Sequence, residues 1–428
     1  MENLFERLPL RPAEILLPRD CDMSRWSVVA CDQYTSQPEY WQRVSDYVGN
    51  APSALRLILP ESCLEGPDVD ADIMEINTTM TRYLRDGRFD ALPDALIYVE
   101  RTLSSGAVRR GVVGMVDLEQ YDYEPGSDAM IRATEGTVLE RIPPRVAVRK
   151  NAPIELPHVM LLCDDRRGEV IRPLKDQTDG MKKLYDFELM EQGGHIAGWL
   201  MGTEQKARFA AALARLADPA QFAEKYGVGA DAGVMMFAVG DGNHSLATAK
   251  ECYERQKRLA PPEQWATLPS RFALAELCDL HDPSLQFEAI HRVVFGVKPE
   301  ELLSDLKAAF PDAREGEGDG HVLRWVTAEG EGVLTVPHPK AQLAVGTLQS
   351  FLDGWLKTHK GAGIDYIHGE QVVRDLARRA DAVGFLLPAM GKEQLFPTVI
   401  HDGVLPRKTF SMGHANDKRF YLEARRIR

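Results

Sequence analysis

The sequence is short of positive charge. It has 51 lysines and arginines against 64 aspartates and glutamates, so its formal net charge is −13 at pH 7. A surface this acidic repels nucleic-acid phosphates at long range, and we therefore expect no nucleic-acid partner. A local basic pocket for one small anion remains compatible with the composition.

Long apolar runs and paired cysteines are absent as well. No stretch approaches the about 20 residues that a membrane-spanning helix needs, and the start, MENLFERLPLRPAEILLP, lacks the features of a secretory signal. The six cysteines form no Cys-x-x-Cys pair, and no histidine lies near them at zinc-finger spacing. We expect a soluble cytoplasmic protein without a membrane partner, whose thiols are reduced and mostly buried.

Several catalytic motifs are missing. There is no P-loop, no Gly-x-Ser-x-Gly and no His-Glu-x-x-His, which disfavours a P-loop kinase, an ordinary serine hydrolase and a zincin. A dinucleotide fingerprint also fails, because Gly240-x-Gly242 is followed by Ser245 where a third glycine belongs. No acidic residue at the end of a strand appears about 20 residues later, where the sequence is Ala260-Pro261-Pro262.

What is present indicates a globular protein of more than one unit. The chain has 428 residues, of which 44% are hydrophobic and 27% are charged, and this length exceeds one ordinary core. Short apolar strands alternate with amphipathic helices, which predicts a mixed α/β (α+β) fold. We divide the chain into an N-terminal mixed α/β region (1-150), a central region (151-285) and a C-terminal α/β region (286-428).

The stretch MMFAVGDGNHSLATAK, residues 235–250, joins a strand to a helix. β-branched, aromatic and methionine residues predict a strand over Val234 to Val239, and helical periodicity follows Asn243. Gly240 to Asn243 would then be a tight turn, with Asn243 as the N-cap of the helix.

This turn has the features of an anion site. Unpaired N–H groups and the positive end of the helix dipole meet at a helix N-terminus, and Gly240 and Gly242 let a ligand approach the backbone. His244 could donate to a phosphate oxygen, whereas Asp241 suits Mg²⁺ or a substrate hydroxyl. The alternative is a plain connection, with Asn243 as cap and His244 on the surface.

Together with three other segments, this turn makes the chain resemble the bacterial family called domain of unknown function 1015. The usual family signature is a strand, Asp-Gly-His-His-Arg and a helix, and here the run is Asp241-Gly242-Asn243-His244-Ser245. Arg132-Ala133-Thr134-Glu135 is similar to the Lys-His-Glu-x-Thr region of the family. The segments Asp365-Tyr366-Ile367-His368-Gly369 and Leu405-Pro406-Arg407-Lys408-Thr409 also match.

The central motif of that family is similar to the ParB/sulfiredoxin superfamily. Members bind nucleotide phosphates at a turn leading into a helix; some are CTP switches, one group repairs peroxiredoxins and another phosphorylates free serine. The resemblance implies a ParB/sulfiredoxin-like core with additional mixed-sheet domains. It also implies a nucleotide or phosphate site formed by Gly240, Gly242, Asn243 and Ser245.

The motif departs from the family at two positions, since Asn243 replaces a histidine and Ser245 replaces the arginine. Loss of that arginine removes a phosphate contact worth on the order of 1–3 kcal/mol. Either another basic residue substitutes or the ligand differs. The candidates from other segments are Arg132, Arg141, Arg145, Arg149 and Lys408.

Three further acidic or histidine residues have open interpretations. Glu135 could act as a base or metal ligand beside an anion clamp formed by residues 132–145, which could equally be a solvated loop. Asp32 could orient a substrate amine or a metal, or cap a turn. His368 could line a pocket, or be a core or turn histidine.

Two main functions follow. The first is a nucleotide-dependent small-molecule phosphotransferase that binds ATP or ADP at the turn and Mg²⁺ at Asp241, with Asp241, His244 and Glu135 as catalytic residues. Glu135 would accept the proton of a hydroxylated amino acid such as free serine. The alternative is a non-catalytic metabolite- or nucleotide-binding regulatory protein; a phosphoester hydrolase is a weaker third. The oligomeric state stays open.

Overall fold

The computed structural model describes residues 4–64, 66–136 and 142–428. The chain forms two compact units: Met1–Leu285 with His414–Arg428, and Gln286–Gly413. Residues 1-150 and 151-285 thus share one unit, because strands from both enter the same sheet; the three regions stay a prediction about domains. Within the described ranges, no helix is both long and apolar enough to cross a membrane.

A large mixed sheet forms the centre of the first unit. In chain order up to Leu285, the strands of this unit are β1 Leu10–Arg11, β2 Ala13–Pro18, β3 Val28–Val29, β4 Phe89–Ala95, β5 Ile97–Thr102, β6 Val108–Asp117, β7 Tyr121–Asp122, β8 Ile131–Ala133, β9 Ile154–Glu155, β10 Met160–Cys163, β11 Lys182–Glu188, β12 His195–Leu200, β13 Phe237–Asp241 and β14 Phe272–Asp279. Among the described residues, ten of them pair in the order β11-β12-β5-β6-β14-β10-β13-β8-β7, with β1 beside β6. This sheet confirms the predicted mixed α/β class.

The sheet combines parallel and antiparallel pairs. β10 runs parallel to β14 and antiparallel to β13, while β13 runs parallel to β8. Every residue of β10 (MLLC) is buried, as is β14 (FALAELCD) from its second residue on. Continuous apolar runs of this kind are typical of strands covered on both faces.

Helices pack around this sheet and share an apolar core with it. The helices of the first unit are α1 Met23–Trp26, α2 Pro38–Val48, α3 Val69–Arg85, α4 Ile142–Arg149, α5 Thr203–Leu216, α6 Pro219–Tyr226 and α7 Asn243–Leu259. α4 packs on α7 through Ile142 and Val146, which meet Ala247 and Cys252. Trp26, Val44 and Met80 belong to the core beneath α1, α2 and α3.

The end of the chain is built into the first unit. Its strands β22 Phe420–Tyr421 and β23 Arg425–Arg426 pair with β3 and β9 respectively. Trp26 donates from its indole to the Leu422 carbonyl at 3.0 Å, which helps to hold this segment in the core. Residues almost 400 positions apart in the chain therefore lie side by side.

The second unit is a smaller antiparallel sheet with helices. Its strands are β15 Phe287–Phe295, β16 Arg314–Glu315, β17 His321–Val326, β18 Glu331–Val336, β19 Gly363–His368, β20 Ala382–Leu386 and β21 Phe410–Met412, and its helices are α8 Pro299–Ala309, α9 Ala344–Thr358, α10 Glu370–Leu376 and α11 Leu395–Asp402. The order is β16-β18-β17-β20-β15-β19, with β21 also on β15. Val293, Val373 and Ala382 lie in its core.

Candidate functional site

The predicted strand and helix meet at Gly242. The strand extends to Asp241, two residues beyond its predicted end, and α7 begins at Asn243. Gly242 is the N-cap, with φ of 83° and ψ of 28°. The prediction of a turn over Gly240 to Asn243 with Asn243 as N-cap was therefore wrong, because a single left-handed glycine makes the whole connection.

Asn243 connects the start of α7 to Thr134 through two hydrogen bonds. As the first helical residue, it accepts from the Thr134 N–H with Oδ1 and donates to Thr134 Oγ1 with Nδ2, both at 3.2 Å. Thr134 Oγ1 in turn donates to the Val239 carbonyl at 2.7 Å. Asn243 therefore fixes the start of α7 against the end of β8, the parallel neighbour of β13.

The anion site at the N-terminus of α7 stays a prediction. Gly242 has no side chain with which to cap the helix, and the first-turn N–H groups of a helix have no intrahelical acceptor. The Gly242 carbonyl accepts from Leu246, which closes the first turn. Asn243 is thus the first residue at the positive end of a 17-residue helix, the end that generally favours anions.

Replacing Gly242 by alanine should destabilise this junction. A Cβ at Gly242 would meet Val159 Cα and Cγ2 at 3.1 Å, at a backbone conformation that favours glycine. We expect a loss of about 1–2 kcal/mol in the free energy of unfolding, measured with urea. Gly227→Ala is the matched control, because Gly227 also has a positive φ but nothing within 4 Å. Equal losses in both variants would show that the contact with Val159 does not matter.

Asp241 links the turn to the end of the chain. Its Oδ1 accepts from the Gly242 N–H at 3.1 Å, and its Oδ2 lies 3.3 Å from Nζ of Lys418. The two side chains are 17% and 13% exposed, so the pair is largely shielded from water.

Asp32 lies in the same neighbourhood. Its Oδ2 is 3.8 Å from His158 Nε2, and a Cβ at Gly242 would lie 3.5 Å from His158 Cδ2. Burial opposes ionisation of Asp32, but the charges of His158 and Lys418 and a hydrogen bond from Gln33 outweigh it and lower its pKa. Asp32 is therefore a carboxylate at neutral pH.

Tyr421 contacts both His158 and Cys31. Tyr421 Oη lies 2.8 Å from His158 Nδ1 and 3.0 Å from Cys31 Sγ, and it accepts from the Cys31 N–H. Burial raises the pKa of Cys31 to about 12 and the pKa of Tyr421 well above its ordinary value. Both groups stay protonated at neutral pH, so they orient His158 instead of supplying charge.

Strand pairing brings four segments of the chain together at this site. β13 ends at Asp241 where its antiparallel neighbour β10 begins, which brings His158 and Val159 beside Gly242. β3 pairs with β22, so Asp32, which follows β3, lies near Lys418, which precedes β22. We call Asp32, His158, Asp241, Gly242 and Lys418 the junction site.

The structure brings some of the predicted residues near this site. Glu135 is half-buried and directly follows Thr134, which binds Asn243. Arg145 on α4 pairs with Glu61 at 2.7 Å, and the Glu61 N–H donates to the Cys31 carbonyl at 2.8 Å. Arg145 therefore lies at the margin of the Cys31 segment.

Other predicted residues belong to other elements of the chain. Arg132 donates to the carbonyls of Ala129 and Gly233, at the start of β13 instead of its end. His368 and Lys408 belong to the second unit, where His368 pairs with Glu288 at 2.8 Å. Arg141 lies outside the described residues. The roles proposed for these residues stay predictions.

Sequence reasoning missed His158, Tyr421 and Lys418. Lys418 and Tyr421 lie in the run KRFYLEARR, whose apolar residues indicate a buried segment but no partner. His158 precedes the predicted strand over Val159 to Cys163 and could have been noticed as a polar residue next to a buried strand. Nothing in their spacing connects them to Asp241.

A metal ion would need ligands beyond the protein here. In the described part of the chain, no three or more histidine, cysteine, aspartate or glutamate side chains are arranged to hold a metal. Mg²⁺ is usually bound by one or two carboxylates together with substrate phosphates and water. Asp241 and Asp32 fit that pattern, and the Mg²⁺ assignment stays a proposal.

A second group of buried carboxylates lies at the other end of β10. Asp164 accepts from Tyr226 Oη at 2.6 Å and pairs with Lys225 at 3.0 Å and His281 at 2.5 Å. Asp279, which ends β14, is 4% exposed, and burial with the charge of Asp165 raises its pKa to about 6. This group is separate from the junction site.

Replacing Asp279 by asparagine should change the pH dependence of stability. Its pKa rises from 3.8 to about 6 on folding. The folded state therefore binds more protons between these values, and wild-type stability falls as pH rises through this window, by roughly 3 kcal/mol at most. Asparagine can still accept from the His281 N–H. We expect the variant to be more stable at pH 7.5, with a flatter profile in urea denaturation; an unchanged profile would contradict this.

Three comparisons place the chain among known proteins. Solved structures that match include a free serine kinase variant in complex with AMP (TM-score 0.39, 12% identity, 72% of this chain and 90% of that chain). Two others are SbnI with a C-terminal truncation from Staphylococcus aureus (0.35, 8%, 70% and 82%) and a conserved hypothetical protein from Pyrococcus furiosus (0.36, 11%, 73% and 94%). No curated protein matches. The model of the family described as "Protein of unknown function (DUF1015)" matches residues 10–374, and the chain belongs to this family.

Proposed function

We propose that the protein is a nucleotide-dependent small-molecule phosphotransferase, with free serine or a similar hydroxylated amino acid as acceptor. The observation that carries this proposal is the convergence at the junction site, where the N-terminus of a 17-residue helix lies beside Asp241 and close to Asp32. Phosphoryl transfer needs hydrogen-bond donors that bind the phosphates. It also needs charged groups that bind a metal ion and position the acceptor.

The start of α7 would bind the terminal phosphates of ATP or ADP. The N–H groups of the first turn would donate to phosphate oxygens, and His244 would add a side-chain donor. Mg²⁺ would bind Asp241 together with phosphate oxygens and water.

The acceptor hydroxyl would attack the terminal phosphorus. The bond from that phosphorus to the bridging oxygen of the nucleotide breaks, the nucleotide leaves with one phosphate fewer, and Glu135 takes the hydroxyl proton. Asp32 would bind the ammonium group of the amino acid, because it is a carboxylate at neutral pH and is partly open to solvent. We also propose a cytoplasmic location, which six free cysteines support.

Calorimetry and a turnover assay test this function. ATP, ADP and AMP are titrated with Mg²⁺, and ATP or ADP is then incubated with serine, threonine, homoserine and alanine. We expect nucleotide binding, and phosphorylation of hydroxylated amino acids but not of alanine. Absence of nucleotide binding would refute the proposal, and free phosphate without a phosphorylated amino acid would favour a phosphoester hydrolase.

A binding protein without turnover is the second candidate. The replacement of the family arginine by Ser245 favours it, because phosphate binding can survive with weaker transition-state stabilisation. In that case Asp241→Ala and His244→Ala would abolish binding of a nucleotide, while no acceptor in the panel would be phosphorylated.

A further inference from the structure

We propose that Lys418 is the phosphate-binding cation of the junction site and replaces the arginine that the family has at the position of Ser245. This inference rests on the proposed phosphate site at the start of α7. Lys418 lies beyond residues 10–374, which the family model matches. The end of the chain would thus supply the charge that the central motif lacks.

The position of Lys418 supports this role. Its Nζ lies 3.3 Å from Oδ2 of Asp241, and Oδ1 of Asp241 accepts the Gly242 N–H. The Asp241 carboxylate therefore connects the Lys418 ammonium to the turn. Its charge also helps to lower the pKa of Asp32. An ammonium has three donors, so it can keep Asp241 and still donate to a phosphate oxygen.

The backbone that carries Lys418 is held by buried arginines. Arg101 donates to the carbonyls of Asn416, at 2.9 Å, and Lys418, at 3.4 Å, and Arg109 donates to that of Asp417 at 2.8 Å. Arg101 is 1% exposed and Arg109 is 4% exposed. Three hydrogen bonds from two buried guanidinium groups thus hold the backbone carbonyls of residues 416–418. A ligand-binding side chain gains precision from such support.

Other cations near the motif have different contacts. Arg132 binds two carbonyls at the start of β13, and Arg145 pairs with Glu61. Lys250 on α7 donates to the Leu118 carbonyl at 2.8 Å and pairs with Glu254. Among the residues that the structure describes, Lys418 is the cation that contacts Asp241 of the motif directly.

The test compares Lys418→Met with wild type in calorimetric titrations of ADP, pyrophosphate and adenosine. We expect about 10- to 100-fold weaker binding of ADP and pyrophosphate, because a charge-assisted hydrogen bond is lost, and unchanged binding of adenosine. Lys418→Arg should stay close to wild type, and adding Ser245→Arg to Lys418→Met should restore part of the affinity.

Controls separate this inference from folding and from the proposed function. Lys257→Met removes a similarly paired lysine at the far end of α7 and should bind like wild type. If Lys418→Met fails to fold by circular dichroism, Lys418→Gln takes its place. Unchanged pyrophosphate affinity, or an equal loss for adenosine, overturns the inference. Wild type that binds pyrophosphate but no nucleotide overturns the proposed function alone, and wild type that binds neither overturns both.

Discussion

Replacing Asp241 by asparagine is expected to reduce the rate of the proposed phosphoryl transfer by about 100-fold or more. Asparagine keeps an oxygen that can accept the Gly242 N–H, so the turn should form as before. The variant loses the negative charge that would bind Mg²⁺ and that attracts Lys418 at 3.3 Å. The measurement is kcat for ATP or ADP over a series of Mg²⁺ concentrations.

A matched control makes this result interpretable. Glu254→Gln neutralises an acidic residue on α7 that pairs with Lys250 at 3.1 Å, and it should leave kcat unchanged. We expect Asp241→Asn to need more Mg²⁺ for half-maximal rate as well. A rate within about threefold of wild type would remove Asp241 from the catalytic machinery, because a lost metal ligand costs far more than that.

Replacing Arg419 by methionine is expected to reduce the free energy of unfolding by about 3–5 kcal/mol. Arg419 donates to Glu276 at 2.9 Å and to Glu423 at 2.6 Å, and all three side chains are at most 5% exposed. Methionine fills much of the volume but leaves two buried carboxylates without this partner. Urea denaturation measures the loss.

An exposed ion pair provides the comparison. Arg43 donates twice to Glu191, at 3.0 and 2.8 Å, but its side chain is 54% exposed. Arg43→Met should therefore cost less than about 1 kcal/mol. If both variants lost the same amount, the stabilising effect attributed to buried ion pairing at Arg419 would be wrong.

Acid should destabilise the protein by protonating Glu276, one of the two carboxylates that Arg419 binds. Burial opposes ionisation of Glu276, but Arg109 and Arg419 outweigh it and lower its pKa. A lowered pKa contributes stability above the unfolded value of 4.5 that is lost as pH falls through the folded value. Wild type should therefore lose stability below about pH 4.5, and Arg419→Met should lose less of it there, because Arg419 no longer favours the ionised form.

Local sequence predicted much of the junction but not its details. Apolar residues before Gly240 and the helical pattern after Asn243 set a strand and a helix in the right order, since both patterns depend on neighbours within one or two turns. The boundaries differed because Asp241 pairs with Met160 of β10, which extends the strand beyond its apolar residues. Asn243 is the first helical residue instead of the expected N-cap, because it forms two hydrogen bonds with Thr134, 109 positions away.

The sequence by itself determined the mixed α/β class, the strand-to-helix junction and the family to which the chain belongs. Only the tertiary structure decided which charges meet there. Lys418 and Asp32 come to the junction through the pairing of β3 with β22, two strands of two residues each. Such pairings depend on the packing of the whole core, because two-residue strands carry no periodicity of their own and their partners lie nearly 400 residues apart.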